Sequence, residues 1–396
     1  MTAELSTPRI TSADRSAHLA AFHQLRQSGR MHDAAAQLGR ALDLRAWVAL
    51  PFHGSVPLAR VLVLQSILAG NALIHRFLDD KLFAVHILLV EFWQPDLPLP
   101  EHDLVLNAIG DADVRGDALA QAERILATIT APVLNAPATV RLTSRAQNAA
   151  RLRLLPGVRT AHTLRVQRDE LGPDTLPELL ERHSLQLPIL LRAPGFHMGQ
   201  NCLRLDRFED LPISLAQLPG DEILLVEHLP TRSGDGWCRK YRVLFLDGQM
   251  YPVHLAVSSD WKVHFFSAEM AANAAHRLED ARFLAAMDEV LGSAVLATLQ
   301  RIQRALDLDY GGIDFGLDFG DVVRSESDSS SCQAARSNAA PRILLFEANA
   351  NMAVLRPPDD PLWDYRRVAV DRIYSAFHAM LRERSASARC AIPARC

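Results

Sequence analysis

The sequence predicts a parallel α/β layer followed by an α+β domain, with a short helical segment ahead of both. Three observations predict it. Across about residues 56–155, continuous apolar runs that end in Gly- or Asn-bearing loops alternate with helix-period segments, the texture of a parallel sheet covered by helices. From about Thr163 the apolar segments come instead in neighbouring pairs with turn signals between them, and long amphipathic stretches follow. From about Ser16 to Leu44 the spacing is that of two short amphipathic helices. The boundaries read as 1–50 for the helical segment, 56–155 for the parallel layer, 156–385 for the α+β domain and 386–396 for a tail.

The bulk properties exclude several classes. A chain of 396 residues, 49% hydrophobic and 22% charged, has ordinary globular composition and can bury a sizeable core. A formal charge of −4 leaves no basic excess for nucleic acid. The five cysteines (Cys202, Cys238, Cys332, Cys390 and Cys396) form no CxxC pair, which argues against a zinc site or a disulfide framework and fits a reducing compartment. No basic n-region followed by an apolar core opens the chain, and runs such as "RVLVLQSILAG" fall far short of the ~20 residues a membrane span needs. The expectation is a soluble, cytoplasmic protein with no membrane and no nucleic-acid partner.

In order, the helices "HLAAFHQLRQSGR" and "MHDAAAQLGRALDL" turn at Gly29 and carry Ala34, Ala35, Ala36 and Ala41. They read either as a helical cap on the next domain or as a single tetratricopeptide-like unit, which normally needs neighbours to stack on. "ARVLVLQSILAGN", "FAVHILLVEFW" and "HDLVLNAIGDAD" are buried strands running into loops; "ALAQAERILATI" is a helix, "APVLN" a short strand and "TSRAQNAARLRLL" another helix. Asn107, Asp111 and Asn135 then fall at strand carboxyl ends, where open parallel sheets gather ligands and where loop-solvating residues are also common. Further on, "PILLRAPGF" and "NCLRLDRF" pair around a loop, "SLAQLP" is a short helix, "EILLVEHL" a strand, and "YRVLFL" with "MYPVHLAV" a hairpin about Asp247-Gly248. "DARFLAAMDEVLGSAVLATLQRIQRALDL" supplies one or two long helices, and "YRRVAVDRIYSAFHAML" closes the chain.

Two acid-bearing strands, "YGGIDFGLD" and "RILLFEANANM", flank the Ser-rich "SESDSSSCQAARSNAA". Alternation puts Asp314, Gly316 and Asp318 on one face of the first, and Leu345, Glu347 and Asn349 on one face of the second. If the strands pair, two carboxylates and an amide oxygen converge, a hard-oxygen set that suits Mg²⁺. Solvated strand-end carboxylates in a plain hairpin would show the same letters. Because loop closure costs only about 0.6 kcal/mol per doubling of length, the Ser-rich stretch reads as a tolerated, mobile hairpin insertion.

These stretches resemble the metal-binding strand pair of the ATP-grasp superfamily, in particular its D-alanine–D-alanine ligase and glutathione synthetase branches, and the resemblance covers about residues 56–385 in order. It implies an ATP-grasp fold behind a parallel α/β pre-ATP-grasp domain, and a ligase that joins a carboxylate to an amine through an acyl-phosphate, releasing ADP and phosphate. On that resemblance Asp314, Glu347 and Asn349 hold Mg²⁺. Arg145 and Arg192 contact ATP phosphates where the family more often has lysine, and arginine keeps both the charge and the grip. Glu227, His228 and Leu229 line the adenine edge, and His197 and Gly199 lie in a closing glycine loop. Gly312 stands where D-alanine–D-alanine ligases carry a charge-stabilising arginine. Arg242 in "KYRVLF", with Lys240 as the alternate, is then the candidate for that cation. "YPVHLAVSSDWKVHFFSAEM" carries His254, Trp261, Lys262 and His264, either substrate-reading groups with His264 as a base, or a buried tryptophan with satisfied histidines. The implied partners are a small-molecule or peptide carboxylate and an amine, with room for a homodimer and for a protein partner at the N-terminal helices. The rival reading is a nucleotide-binding scaffold or regulatory protein with a degenerate catalytic domain.

Overall fold

The computed structural model describes residues 12–27, 30–41, 46–68, 70–196, 199–319 and 340–391. The chain divides into two compact units, Met1–Arg141 with Tyr374–Cys396, and Leu142–Ile373.

The first unit opens with a helical hairpin, α1 (Ser12–Gln27) and α2 (Met31–Ala41). Ala34, Ala35 and Ala41 are fully buried, the close approach that small side chains permit, and His18 Nδ1 meets Gln37 Oε1 at 2.7 Å. One hairpin is what the described residues hold here, with no second repeat to stack on it. The sheet comprises β1 (Trp47–Ala49), β2 (Ala59–Gln65), β3 (Phe83–Leu89), β4 (Leu104–Asn107) and β5 (Val133–Leu134), interleaved with α3 (Gly116–Leu126) and α4 (Pro137–Arg141). Its order is β1-β3-β2-β4-β5. The three pairings among β2 to β5 are parallel, as the apolar runs imply: Val61 to Leu64 are all 0% exposed, buried on both faces of β2. The antiparallel edge strand β1 is too short to leave a periodic signal. Asn107 and Asn135 are buried; Asn107 Nδ2 donates to the Asn135 carbonyl (2.9 Å) and its Oδ1 accepts from Ile109 N (3.1 Å), so it shapes the strand ends rather than solvating them.

The second unit contains α5 (Arg145–Leu152), β6 (Val158–Thr160), β7 (Thr163–Gln167), α6 (Thr175–Arg182), β8 (Ile189–Arg192), β9 (Cys202–Leu205), α7 (Leu211–Ala216), β10 (Glu222–Glu227), β11 (Cys238–Leu246), β12 (Gln249–Ser258), α8 (Ala274–Ala285), α9 (Met287–Leu306), β13 (Tyr310–Asp318) and β14 (Arg342–Asn349). The closing helix α10 (Arg367–Ala391) begins here and ends in the first unit. One sheet, β7-β10-β8-β9, is wholly antiparallel and packs on a core of Leu176, Leu180, Ile189, Leu191, Leu205 and Ile223. The other, β12-β11-β13-β14-β6, is antiparallel except for β6, which joins parallel to β14. The β11–β12 turn forms at Asp247 and Gly248, both in the left-handed region (φ 46° and 78°), the geometry that matches strand twist in a two-residue hairpin. The long helical stretch is two helices, α8 and α9, bent by 62°. Among the described residues, no single helix is long and apolar enough to cross a membrane.

Two β-bulges alter the alternation read from the sequence. Between β13 and β14, Asp314 pairs with Glu347 but Phe315 pairs with Leu345, so Phe346 is the extra residue. The expectation that Leu345 shares a face with Glu347 is therefore corrected: Leu345 stands opposite Phe315, 5% exposed, in the apolar interior. A Cβ on Gly316 would lie 3.0 Å from the Phe346 ring, so the bare glycine makes room for the bulged side chain. Between β11 and β12, Arg242 pairs with His254 and Val243 with Pro252, leaving Val253 extra. The Ser-rich insertion, read from Ser325 to Ala340, lies outside the described residues except for Ala340.

Candidate active site

The registers of the sheet β12-β11-β13-β14-β6 place four polar side chains in a single row, three of them catalytic or metal candidates from the sequence. His254 on β12 stands opposite Arg242 on β11, Arg242 opposite Asp314 on β13, and Asp314 opposite Glu347 on β14. Cross-strand neighbours lie about 4.5–5.5 Å apart at Cβ, so the row is continuous. Arg242 grips Asp314 with two parallel bonds, Nε to Oδ1 at 2.6 Å and Nη2 to Oδ2 at 2.8 Å. Lys240, two residues along the same face, brings Nζ to 3.2 Å from Oδ2. Asp314 is almost wholly buried, which alone would push its carboxyl up. Arg242 and Lys240 overcome that and hold it far below the usual carboxylate range. Burial pulls the Arg242 guanidinium down, but Asp314 outweighs it, so Arg242 stays charged.

Glu347 is held from another direction. Arg145, at the start of α5, donates Nη2 to Glu347 Oε1 at 2.8 Å, and Asn349 Nδ2 donates to the same oxygen at 3.0 Å. Sequence reasoning missed what brings α5 there. Asn148, one turn beyond Arg145, is buried and donates Nδ2 to the Ala348 carbonyl and, at 3.1 Å, to the Thr143 carbonyl. Ser144 caps the helix, its Oγ accepting from Gln147 N at 3.4 Å. A polar Asn on the inner face of α5 was the available signal. Burial raises the Glu347 carboxyl, Arg145 lowers it and Asp314 raises it; with Arg192 and Arg242 also lowering it, the net shift is downward.

Arg192 ends β8 and donates Nη2 to the Phe196 carbonyl in the following loop. Cys202, opposite it on β9, is pushed up by burial and pulled back by Arg192, Lys262 and Arg145. Gly199 (φ 72°) lies against the Lys262 stem, 3.3 Å from where a Cβ would be. His197 lies outside the described residues. His264 is half-buried and lowered by burial, then by Lys240 and Arg242, so its imidazole is neutral near pH 7. Of the adenine-edge candidates, Leu229 is buried and His228 packs edge-on against Trp261 (5.9 Å). The Glu227 carboxylate is taken by Arg159 Nη2 (2.7 Å) and His162 N (3.0 Å), partners not read from the sequence.

The set can be tested for a divalent cation on its donor chemistry. Among the described residues no three His, Cys, Asp or Glu side chains gather in a metal-sized cluster. Mg²⁺ asks less than that: one or two carboxylates suffice when waters and phosphates complete the shell. Asp314, Glu347 and the Asn349 amide are all hard-oxygen donors side by side, and the four cations around the two acids leave a positive surplus for a polyanion. The residues fit.

Gly312 precedes Asp314 on the same face of β13. A Cβ there would lie 2.6 Å from the Val243 carbonyl oxygen and 3.1 Å from Met352 Cγ. The position excludes any side chain.

Behind the row, buried Asp280 accepts from Leu255 N (2.7 Å) and Tyr365 OH (2.7 Å) and sits 3.7 Å from Arg366, which itself donates to the Val253 carbonyl (3.2 Å). Burial lifts the Asp280 carboxyl to about 6 despite Arg366 and these donors. An unfolded Asp loses its proton near pH 4, so between about pH 4 and 6 the folded state binds more protons and stability falls as pH rises. Asp314 has the opposite sign: its contribution is present above the unfolded value and lost as pH falls towards its depressed folded one. Asp280→Asn should therefore flatten the fall. Urea titrations at about pH 4.5 and 6.5 should show wild type losing about 2 kcal/mol more than the variant over that interval. Equal losses would mean that Asp280 titrates normally.

No family model matches the sequence, and no curated protein does. Solved structures do match. A D-alanine–D-alanine ligase from Bacillus anthracis complexed with ATP is 13% identical, over 85% of this chain and 99% of that one, with a TM-score of 0.45. A carboxyaminoimidazole ribonucleotide synthase from Aspergillus clavatus complexed with ATP is 11% identical, over 74% and 70%, at 0.42. The ATP-grasp ligase PsnB, complexed with a precursor peptide and AMPPNP, is 13% identical, over 83% and 99%, at 0.42.

Proposed function

We propose that the second unit is an ATP-grasp catalytic domain and that the protein is an ATP-dependent ligase joining a carboxylate to an amine. The observation that carries this is the registered row Arg242–Asp314–Glu347, completed by Arg145 from a helix 202 residues away in sequence. Two carboxylates in cross-strand register would repel each other. Four cations and an amide held around them form a site for a metal-bound polyphosphate.

In this reading Mg²⁺, held by Asp314, Glu347 and Asn349, would neutralise and polarise the phosphates. Arg145 and Arg192 bind the triphosphate, Arg145 exchanging part of its grip on Glu347 for phosphate oxygens. The substrate carboxylate attacks the γ-phosphorus; the C–O–P bond forms as the bond to ADP breaks. Arg242 and Lys240 then steady the charge that develops at the acyl centre when the amine attacks and phosphate leaves. His264, neutral at its lowered pKa, takes the amine's proton. Gly199, packed on Lys262, belongs to a loop that shields the acyl-phosphate from water.

The test is ADP formation from MgATP, screened over carboxylate–amine pairs with mass detection of the product. Stimulation that needs both an acid and an amine supports the ligase. One observation favours the scaffold reading instead: Asp314 and Glu347 are already paired with arginines, as in a structural ion network. Nucleotide binding with no stimulated ADP release from any pair would decide for the scaffold.

The Ser-rich insertion gives a separate expectation. Asp318 and Arg342 form the last registered pair of the hairpin and an ion pair at 2.7 Å, so pairing is complete before the insertion begins. Replacing Ser325 to Ala340 by a short Gly-containing turn should leave ATP turnover within roughly threefold, since loop length enters stability only logarithmically. A folded variant with collapsed turnover would show that the insertion takes part in catalysis.

A further inference from the structure

We propose that His254 is a positioning residue whose ring wedges the Arg242 guanidinium onto Asp314. The proposal rests on the catalytic reading of Arg242 given above.

The β12 bulge exists at one place, and its effect is specific. Continuing the Val243↔Pro252 register without the extra residue would set Val253 opposite Arg242. With it, His254 stands there instead, at the end of the row that runs to Glu347. Bulges beside active sites characteristically re-aim a side chain in this way.

The bulge is fastened on both sides of His254. Arg366 takes the carbonyl of Val253, and Asp280 takes the N–H of Leu255, the residues immediately before and after it. Asp280 is in turn held by Tyr365. The His254 ring lies 4.9 Å from Phe265, and the Arg366 guanidinium lies 4.1 Å from the same Phe265 ring. His254, Phe265 and Arg366 therefore form one packed column, with Arg366 also serving as a backbone clamp. Two buried charged residues are spent holding a single histidine in place.

His254 is 7% exposed, and its Nε2 has no hydrogen-bond partner. Leaving such an atom unpaired is costly, so a hydrogen bond at Nε2 is not what the ring contributes at this spot. Burial and the neighbouring Arg242 keep it neutral, Arg366 and Lys240 add to this, and only Asp314 opposes them. A flat, uncharged ring is what can lie beside a guanidinium without competing for its carboxylate. Lysine or arginine there would contest Asp314, and a small residue would let Arg242 tilt away from it.

The test reads Arg242 directly. In ¹⁵N-arginine-labelled full-length protein, the Arg242 Nε–H, which donates to Asp314 Oδ1, is assigned by its loss in Arg242→Lys. His254→Ala should speed solvent exchange of that proton by roughly tenfold or more, while His254→Phe, which keeps a flat neutral ring, should leave it within about twofold. Unchanged exchange in a folded His254→Ala overturns the proposal. So does an equal acceleration in folded His254→Phe, which would put the role on the imidazole nitrogens. Should the Phe variant not fold, His254→Tyr, which also keeps a flat neutral ring, takes its place with the same two outcomes. ADP release from MgATP, with Arg242→Ala as reference, is the parallel arm. If Arg242→Ala leaves release unchanged, the catalytic reading of Arg242 fails while the exchange experiment still decides the role of His254.

Discussion

Glu347→Gln should lower stimulated ADP formation at least about 100-fold while the protein stays folded. The side chain keeps its size and its bond from Asn349 but loses the charge that Arg145 faces and that the proposed Mg²⁺ site would use. Glu347 and Arg145 each keep 24% of their side-chain surface in solvent, so the cation left behind can be hydrated and the fold should tolerate the change. Asp314→Asn is a different experiment. Asp314 is 4% exposed and neutralises both Arg242 and Lys240, so the variant strands two largely buried cations. Breaking a buried pair from one side costs about 3–5 kcal/mol, and loss of activity there would mix chemistry with unfolding. Glu347→Gln with near-wild-type turnover and unchanged thermal midpoint would remove the metal assignment.

The second large effect separates two arginines. Arg242→Ala should reduce kcat by about 100-fold or more with ADP affinity little changed, because its partner charge develops at the acyl centre and not on the nucleotide. Arg192→Ala should weaken ADP binding as well as slow turnover, because Arg192 ends β8 opposite Cys202, on a different sheet from Arg242, and in the proposed mechanism it meets the triphosphate. The measurement is ADP affinity by calorimetry beside kcat for both variants. Arg242→Ala losing nucleotide affinity while keeping kcat would reverse the division of labour. Arg242→Ala also deserves a thermal midpoint, since it leaves Asp314 to Lys240 alone.

How far the site could be read from the chain depends on distance along it. The facing of Asp314 and Glu347 was legible because each sits on a short alternating strand, although alternation alone put Leu345 on the face of Glu347, which the bulge at Phe346 undoes. Arg242 and Lys240 were legible for the same reason, two apart on a hairpin marked by Asp247-Gly248. The bulges at Phe346 and Val253 were not, because an extra residue in one strand is defined only against its partner. Nor was Arg145 meeting Glu347, which depends on Asn148 docking α5 on the backbone of β14. The parallel layer was visible in its apolar runs, but β6, three residues long, owes its place to β14 and not to its own letters. Arg366 and Asp280 lie 86 residues apart and look like ordinary surface charges in sequence; burial between α8 and β12 gives them their role.

Gly312 has a consequence for redesign. Where the resembling D-alanine–D-alanine ligases place an arginine, this backbone runs so close to its neighbour that a single methyl group would strike the Val243 carbonyl. Trimming Met352 could clear one obstruction, but a main-chain oxygen cannot be trimmed. A charge transplanted to position 312 would have to move a whole strand first, carrying Arg242 with it. If Arg242 supplies the charge as proposed, a second cation at position 312 cannot be added beside it without moving the backbone. A library that samples residue 312 alone should return only glycine, and adding residue 352 to it should change little, since the main-chain oxygen of Val243 stays in place.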